Sequence, residues 1–489
     1  MHNRTRKNFS KQMETKPTRK HRNKFMTDLC NDSMSFADCE LAIVHHAVEE
    51  SESIKGAKLV NSEEVKRMLK IVEDFIARKK LVCYGGTAIN NILPKYAQFY
   101  ARDIEIPDYD FFSPDALNDA IELADIYHHA GYTDVEAKSG VHYGTFKVFV
   151  NFIPIADITM LNKQIFRAIS KESIRVAGIQ YAPPNYLRMG IYLELSRPAG
   201  DVSRWEKIYK RLLLLNKFYP LTATQKCDSI DFSKKIDIES PEFERQHHVV
   251  RDALIDNGVI FFGGYSTYLY STYMNKNKEQ LVKNIPDFDV IVDDPDKCAV
   301  IVKERLDDAN IKHVKIVSHD AIGEIIPRHV EIIVGKHSMA FLYEPIACHS
   351  YNQITIGDKV VNVATIETIL AFYLSFIYAD MPYYDKDRLL CVAAFIFDIQ
   401  QKNRLAQTGI LKRFNINCYG KQKTLEDIRS EKTTKFKELQ SKKDSNEYKM
   451  WFLRYNPGQI TDAALPLKPA IIKNKTRKTS GLFAKIFGV

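Results

Sequence analysis

No stretch of this chain is long and apolar enough to span a bilayer. The longest uncharged apolar run, Thr368 to Ala379, falls well short of the roughly 20 residues that spanning requires, and reads as a buried helix. The N-terminus is basic but lacks an apolar segment, so no secretory signal is expected. None of the eight cysteines forms a CxxC pair, and their spacing fits no zinc site. Scattered in this way, with Cys83 and Cys391 in apolar surroundings, they are expected to be free thiols in a reducing compartment. The pairs His45-His46, His128-His129 and His247-His248 also lack ligand spacing and read as surface or packing residues.

At 489 residues, 45% hydrophobic and 27% charged, the chain can bury sizeable cores, and its length suggests two to four domains. The net charge of +9 is unevenly placed: residues 1–28 carry +7 and residues 466–489 carry +6, leaving the middle at −4. Basic tails suit a polyanionic partner through counterion release; solubilising disorder is the competing reading.

One short pattern occurs twice. Tyr84-Gly85-Gly86-Thr87 is followed by Pro107-Asp108-Tyr109-Asp110, and Phe262-Gly263-Gly264-Tyr265 by Pro286-Asp287-Phe288-Asp289. The first Gly leads the first Asp by 23 residues in one copy and 24 in the other, which suggests a duplicated unit. Hydrophobic periodicity predicts helices over 36–80, a strand at Leu81–Tyr84, a helix from Thr87, and a strand at Tyr109–Phe112. A helix over 115–130 follows, then a long strand or hairpin from Val141 that ends at Asp157. Residues 160–222 read as helix-rich, 223–240 as a polar connection. The order then restarts, with strands at Val259–Phe262, Phe288–Val292, Val314–Val317, Val330–Val334 and Met339–Tyr343, and helix over 364–402. Residues 403–448 read as a solvated helix or loop.

Successive side chains of a strand alternate in direction, so Asp108 and Asp110 project together. Asp157, on a neighbouring strand, is the candidate third carboxylate. Clustered hard oxygens suit Mg²⁺ or Mn²⁺, and two such ions can stabilise the attacking and leaving oxygens of phosphoryl chemistry. Gly85 and Gly86 let the backbone approach triphosphate oxygens, and the helix that follows offers free N–H groups to an anion. Thr87 either adds a hydroxyl to the phosphate or caps the helix. Arg188, Arg197, Arg204 and Lys207 either reach phosphate or pair with Glu194 and Glu206.

The ordered set resembles the polymerase β-type nucleotidyltransferase superfamily, with a longer Gly-Gly to Asp spacing that an insertion over 94–106 would explain. More closely, Tyr84 to Asn90, Pro107 to Phe112, Pro154-Ile155-Ala156-Asp157-Ile158, Glu194 to Pro198 and Ser203 to Lys207 resemble the poly(A) polymerase catalytic subunits of large cytoplasmic DNA viruses. The resemblance covers roughly residues 60–400. It implies an α+β fold with two tandem nucleotidyltransferase domains, the second degenerate. The expected organisation is a basic disordered tail (1–35), a catalytic domain with flanking helices (36–222), a linker (223–240), a degenerate second domain (241–465) and a basic tail (466–489). It also implies template-independent addition of adenylate from ATP to an RNA 3′ end, in the host cytoplasm or virion. Catalysis and metal binding would fall to Asp108, Asp110 and Asp157, and nucleotide binding to Gly85, Gly86 and Thr87. Partnership would be with a second copy or with a viral processivity subunit.

In copy two, Pro345-Ile346-Ala347-Cys348 aligns with Pro154-Ile155-Ala156-Asp157, so Cys348 replaces the third acid unless Glu331 supplies that position, and Tyr265 replaces Thr87. Copy one is therefore expected to be catalytic, with Asp287 and Asp289 as relics or as anchors for basic residues. A uridylyl- or CCA-adding enzyme is one rival reading; a catalytically dead RNA-binding scaffold is another.

Overall fold

The helix Glu63–Lys79 shows how local sequence sets the framework. Ser62 Oγ accepts from the Val65 N–H at 3.2 Å, Glu63 and Glu64 occupy the first turn, and Arg78 and Lys79 the last, each charge favoured by the helix dipole. Its stripe of Val65, Met68, Val72, Phe75 and Ile76 is buried. The chain then turns through Lys80 at φ 55° into the first strand of a sheet.

The protein is described as a computed structural model over residues 29–31, 33–60, 62–100, 107, 109–222, 227–234, 236–283 and 285–458, with the side chains of 52–60 excepted. Both basic tails therefore fall wholly or mostly outside the described residues, and so does Asp108. The first unit contains β1 (Val82–Cys83), β2 (Tyr109–Ser113), β3 (Val135–Ser139), β4 (Thr145–Val150), β5 (Ile153–Met160), β6 (Ile174–Val176) and β7 (Ile179–Tyr181). The second contains β8 (Ile260–Phe261), β9 (Phe288–Ile291), β10 (Val314–His319), β11 (His329–Val334), β12 (His337–Tyr343), β13 (His349–Ile356) and β14 (Lys359–Ala364). Two short strands follow, β15 (Cys418–Tyr419) and β16 (Arg454–Tyr455).

The sheets run β16-β3-β4-β5-β2-β1-β7-β6 and β10-β11-β12-β9-β8-β14-β13-β15. From β3 and β10 onward, seven positions correspond one to one, with matching parallel and antiparallel pairings. The fold is thus α+β and duplicated. The helices that follow the seventh strand of each unit, Pro184–Leu195 and Ile366–Phe376, pack against each other. Every residue of Ile366–Phe376 is buried, Glu367 included, and from Thr368 onward the segment is the uncharged apolar run noted in the sequence. No helix among the described residues is long and apolar enough to cross a membrane.

Four expectations need correction. Residues 174–181 and 349–364 are strand hairpins rather than helix or unassigned chain. β6 and β7 have three residues each, joined by Ala177 and Gly178 at φ 50° and 87°, too short for a period to emerge. Asp157 lies within β5, three residues before its end. Residues 446–455 do not stay with the second unit: β16 pairs with β3, and the helix Asn446–Phe452 packs on the same strand. Finally, six of the eight cysteines are paired, as Cys30–Cys39, Cys227–Cys391 and Cys348–Cys418, leaving Cys83 and Cys298 as thiols. The longer pairings come from tertiary neighbours that spacing cannot reveal: β13 lies beside β15, and the segment around Cys227 packs on the helix Lys386–Lys402.

Because the helix Ile366–Phe376 is enclosed by both units, Ile369→Ala is expected to cost about 2–5 kcal/mol. Chemical denaturation of the two proteins measures it.

Candidate active site

The parallel pairing of β2 with β5 sets Asp110 opposite Asp157. Neighbouring strands stand about 4.8 Å apart, so the two carboxylates share one face a strand apart. β4 continues the row, with Lys147 opposite Asp157 and its ammonium bonded to Asp157 Oδ2. On the other side, the Tyr84 N–H donates to Asp110 O at 3.0 Å. One face of the sheet therefore reads Lys147, Asp157, Asp110, Tyr84. Tyr84 Oη meets Thr159 Oγ1 at 2.8 Å, and its ring stacks on Phe112 with centroids 3.9 Å apart.

One residue after β1 the helix Gly85–Ile92 begins, and its first position requires a glycine while its second is closely packed by side-chain ends. Gly85 has φ +72°, and a Cβ there would lie 2.8 Å from Asp110 Oδ2. At Gly86 a Cβ would lie 2.6 Å from Tyr100 Oη and 2.8 Å from Arg211 Nη1. Thr87 is the third residue of this helix, whose N-cap is Tyr84, so the capping alternative for Thr87 is excluded. The helix N-terminus opens on a cleft of about 600 Å³ whose walls include Gly85, Gly86, Thr87, Asp110, Arg204, Lys207 and Arg211.

The basic residues divide. Arg188 is fully buried and donates to Asn216 Oδ1 at 2.8 Å, to Asn185 Oδ1 and to the Tyr219 carbonyl. Burial pushes its guanidinium down to about 10, and its role is to hold helices together. Arg204 reaches Glu194 at 3.3 Å from the cleft wall, and Glu206 pairs with Lys210 instead of Lys207. Sequence reasoning missed Arg211, whose guanidinium donates to Tyr100 Oη at 2.6 Å. Its signal was available: Arg204, Lys207 and Arg211 fall at helical spacing on one face. Lys147 was missed too, since only sheet register brings it to Asp157.

The second unit carries the same row with different chemistry. Phe341 stands opposite Asp289, Glu331 opposite Phe341, and the Phe262 N–H donates to Asp289 O at 3.0 Å. The counterpart of Asp157 is therefore Phe341. Cys348 lies in the loop beyond β12, where matching tetrapeptides misled the alignment. The expectation that copy two lacks the third acid holds on a different residue. Where the first unit has a cleft, the second has about 30 Å³, enclosed by Phe341, Tyr373, Phe376, Tyr383 and Tyr384 around Asp287, Asp289 and Arg388. Lys234, from the connection between units, bonds Asp287 Oδ2 at 2.6 Å. Burial opposes ionisation of Asp287, but Lys234 and Arg388 outweigh it and hold its carboxyl low. Asp289 is pushed up to about 7 by burial and by the charge of Asp287.

Residues 70–201 match the family model of the poly(A) polymerase catalytic subunit. That span holds every candidate site residue named above except Arg204, Lys207 and Arg211. A protein of Acanthamoeba polyphaga mimivirus, provisionally named poly(A) polymerase catalytic subunit, is 29% identical over 236 residues, 45% of this chain and 38% of that relative. A protein of African swine fever virus (strain Badajoz 1971 Vero-adapted), named in the same way, is 34% identical over 167 residues, 33% of this chain and 35% of its own length. The matches thus span little more than a third of these relatives. The Megavirus polyadenylate synthase crystal structure superposes with a TM-score of 0.73 and 18% identity, covering 89% of each chain. At that identity the likeness establishes the fold, and its coverage includes both units. The resemblance read from the motifs is borne out over the matched span.

Two stability predictions follow from the closed second unit. Lys234→Ala leaves Asp287 without its bonded cation and is expected to destabilise the protein by about 3 kcal/mol. Asp289 binds its proton more tightly folded than unfolded, so its contribution falls as pH rises from about 4 to about 7. Asp289→Asn is expected to remove that slope, as read by thermal unfolding across the same pH range.

Proposed function

We propose that this chain is a template-independent polynucleotide adenylyltransferase that extends an RNA 3′ end from ATP. The observation that carries this reading is the register pair Asp110–Asp157, of which Asp110 lines, with Gly85 and Gly86, a cleft with a basic wall. The glycines and the free N–H groups of the helix Gly85–Ile92 suit triphosphate oxygens. Arg204, Lys207 and Arg211 line the same cleft, and guanidinium forks match phosphate geometry.

Two described carboxylates at adjacent strand positions, one already holding the ammonium of Lys147, fit a divalent cation such as Mg²⁺ or Mn²⁺. Among the described residues no set of three His, Cys, Asp or Glu could hold a metal; we assign the third position to Asp108. When bound, such ions would neutralise charge on the attacking and leaving oxygens.

The residues divide the remaining work. Gly85, Gly86, Thr87 and the basic wall orient the triphosphate so that pyrophosphate leaves opposite the incoming hydroxyl. The primer 3′-oxygen attacks the α-phosphorus, a new P–O bond forms, and the bond to the β-phosphate bridging oxygen breaks. Asp157 promotes loss of the hydroxyl proton, and Lys147 holds that carboxylate in position until substrate arrives. The second unit, its acids engaged by Lys234 and Arg388, serves structure and RNA contact. On the strength of the family resemblance we place the activity in the cytoplasm of an infected cell, with a second copy or a processivity subunit as partner.

Primer extension with each NTP in turn tests the reading, and ATP is expected to be the preferred substrate. Asp110→Ala, alone or with Asp108→Ala, is expected to lower incorporation at least about 1,000-fold, whereas Asp287→Ala/Asp289→Ala leaves it within about 10-fold. Activity lost only in the second double variant would overturn the assignment of the active unit.

A further inference from the structure

After completing the second unit the chain returns to the first, and the segment it brings there is basic. Residues 421–454 carry ten Lys and Arg against six Asp and Glu, inside a middle region whose net charge is −4. They form the helices Leu425–Leu439 and Asn446–Phe452, which pack on each other as a hairpin, and then β16. Lys421, Lys423 and Lys435 are paired with Asp427, Glu431 and Glu438. Lys437, Lys442 and Lys443 are exposed and form no ion pair among the described residues. The last two lie in the turn that joins the helices.

The hairpin sits on the rim of the first unit's cleft. Lys432 Nζ donates to the Gly140 carbonyl at 2.6 Å, and Ser139 Oγ donates to the Trp451 carbonyl at 2.8 Å. Residues 140–144 are the β3–β4 turn. The Met160 N–H donates to the Gly144 carbonyl at 2.8 Å, and Met160 lines the cleft. Glu324 and Ile325, from the second unit, line it too. Burial raises the Glu324 carboxyl, while His142, from the same turn, pulls it back down.

From this rim five rings lead outward. Tyr143 meets Trp451 with centroids 4.6 Å apart, and Trp451 meets Phe452 at 6.4 Å. Phe452 meets Tyr448 at 5.2 Å and Phe436 at 5.5 Å. The rings at the two ends of the row keep open surface: Tyr143 is 41% and Phe436 39% exposed.

Rings and cations together restrict the partner. An acidic peptide would use the lysines and leave the rings idle. A duplex keeps its bases stacked inside, whereas a single strand can splay them onto aromatic side chains. A free nucleotide offers one base, too little for a row of rings that runs outward from the cleft. Unstacked bases joined by phosphates use both features, the bases on the rings and the phosphates beside the lysines. We propose that the hairpin of residues 425–452, together with Tyr143, is a docking surface for single-stranded RNA, holding the primer upstream of its 3′ end. That the 3′ end itself enters the adjoining cleft rests on the proposed function.

Oligoadenylates of about 4 and about 16 nucleotides, the span of site sizes in single-strand-binding folds, test this on the full chain. Fluorescence anisotropy gives affinity across a salt series, and primer extension with ATP gives activity. Phe436→Leu keeps apolar packing but removes a ring. It is expected to weaken binding of the longer RNA about 5- to 150-fold, the range for one lost base–aromatic stack, with the salt dependence unchanged. Lys442→Ala/Lys443→Ala, at exposed positions, is expected to weaken the longer RNA and to flatten the slope of log affinity against log salt by about 1.4. Neither variant should alter binding of the shorter RNA or KM for ATP. Unchanged affinity for the longer RNA in either variant, equal loss for both lengths, or equal wild-type affinity for a duplex overturns the proposal. If ATP is incorporated while those affinities stay unchanged, the surface fails and the enzymatic reading stands. If wild type binds the longer RNA through these residues but incorporates no nucleotide, the enzymatic reading fails and the surface stands.

Discussion

Carboxylates clustered at one place on a sheet repel each other, and something must neutralise them. Much of this protein is organised around that constraint. In the first unit Lys147 holds Asp157 from the next strand, and the cleft beyond stays open with a basic wall. In the second unit Asp287 and Asp289 are instead enclosed, and Lys234 and Arg388 supply the positive charge from inside the fold. The same backbone therefore yields two electrostatic solutions. One leaves the acids beside an open cleft with a basic wall. The other makes the positive charge a permanent part of the chain.

The difference lies in the row of side chains across each sheet. Lys147, Asp157, Asp110 and Tyr84 become Glu331, Phe341, Asp289 and Phe262. Replacing an acid with a phenyl ring removes a hard oxygen ligand and adds bulk, and the cavity shrinks from about 600 to about 30 Å³. A buried ion pair such as Lys234–Asp287 adds little net stability over apolar packing, but removing one partner is costly. The second unit is thereby held closed. It also packs Ile366–Phe376 against its counterpart helix and extends one loop into the neighbouring cleft.

Much of this was legible in the sequence. The doubled Gly-Gly and Asp-x-Asp pattern marked corresponding strands and helix starts of the two units, and apolar periodicity located the helices Glu63–Lys79 and Ile366–Phe376. What escaped had no local signature. β6 and β7 are too short to show a period. The match of Pro345–Cys348 with Pro154–Asp157 compared a loop with a strand, because composition carries no record of register. The disulfides joined residues far apart in the chain, such as Cys227 and Cys391. Lys147, Arg211 and Glu324 acquire meaning only through the strand, helix or unit packed beside them.

The sequence by itself determined the duplication, the candidate acids and the paired glycines, and the likeness to viral poly(A) polymerase catalytic subunits. These depend on short motifs, whose chemistry is set by residue type and local spacing. Tertiary structure decided which residue stands opposite each acid, whether a cleft opens there, and that a loop of one unit reaches the site of the other. Those depend on pairings between strands and units distant in sequence, where a shift of one residue turns a side chain to the opposite face.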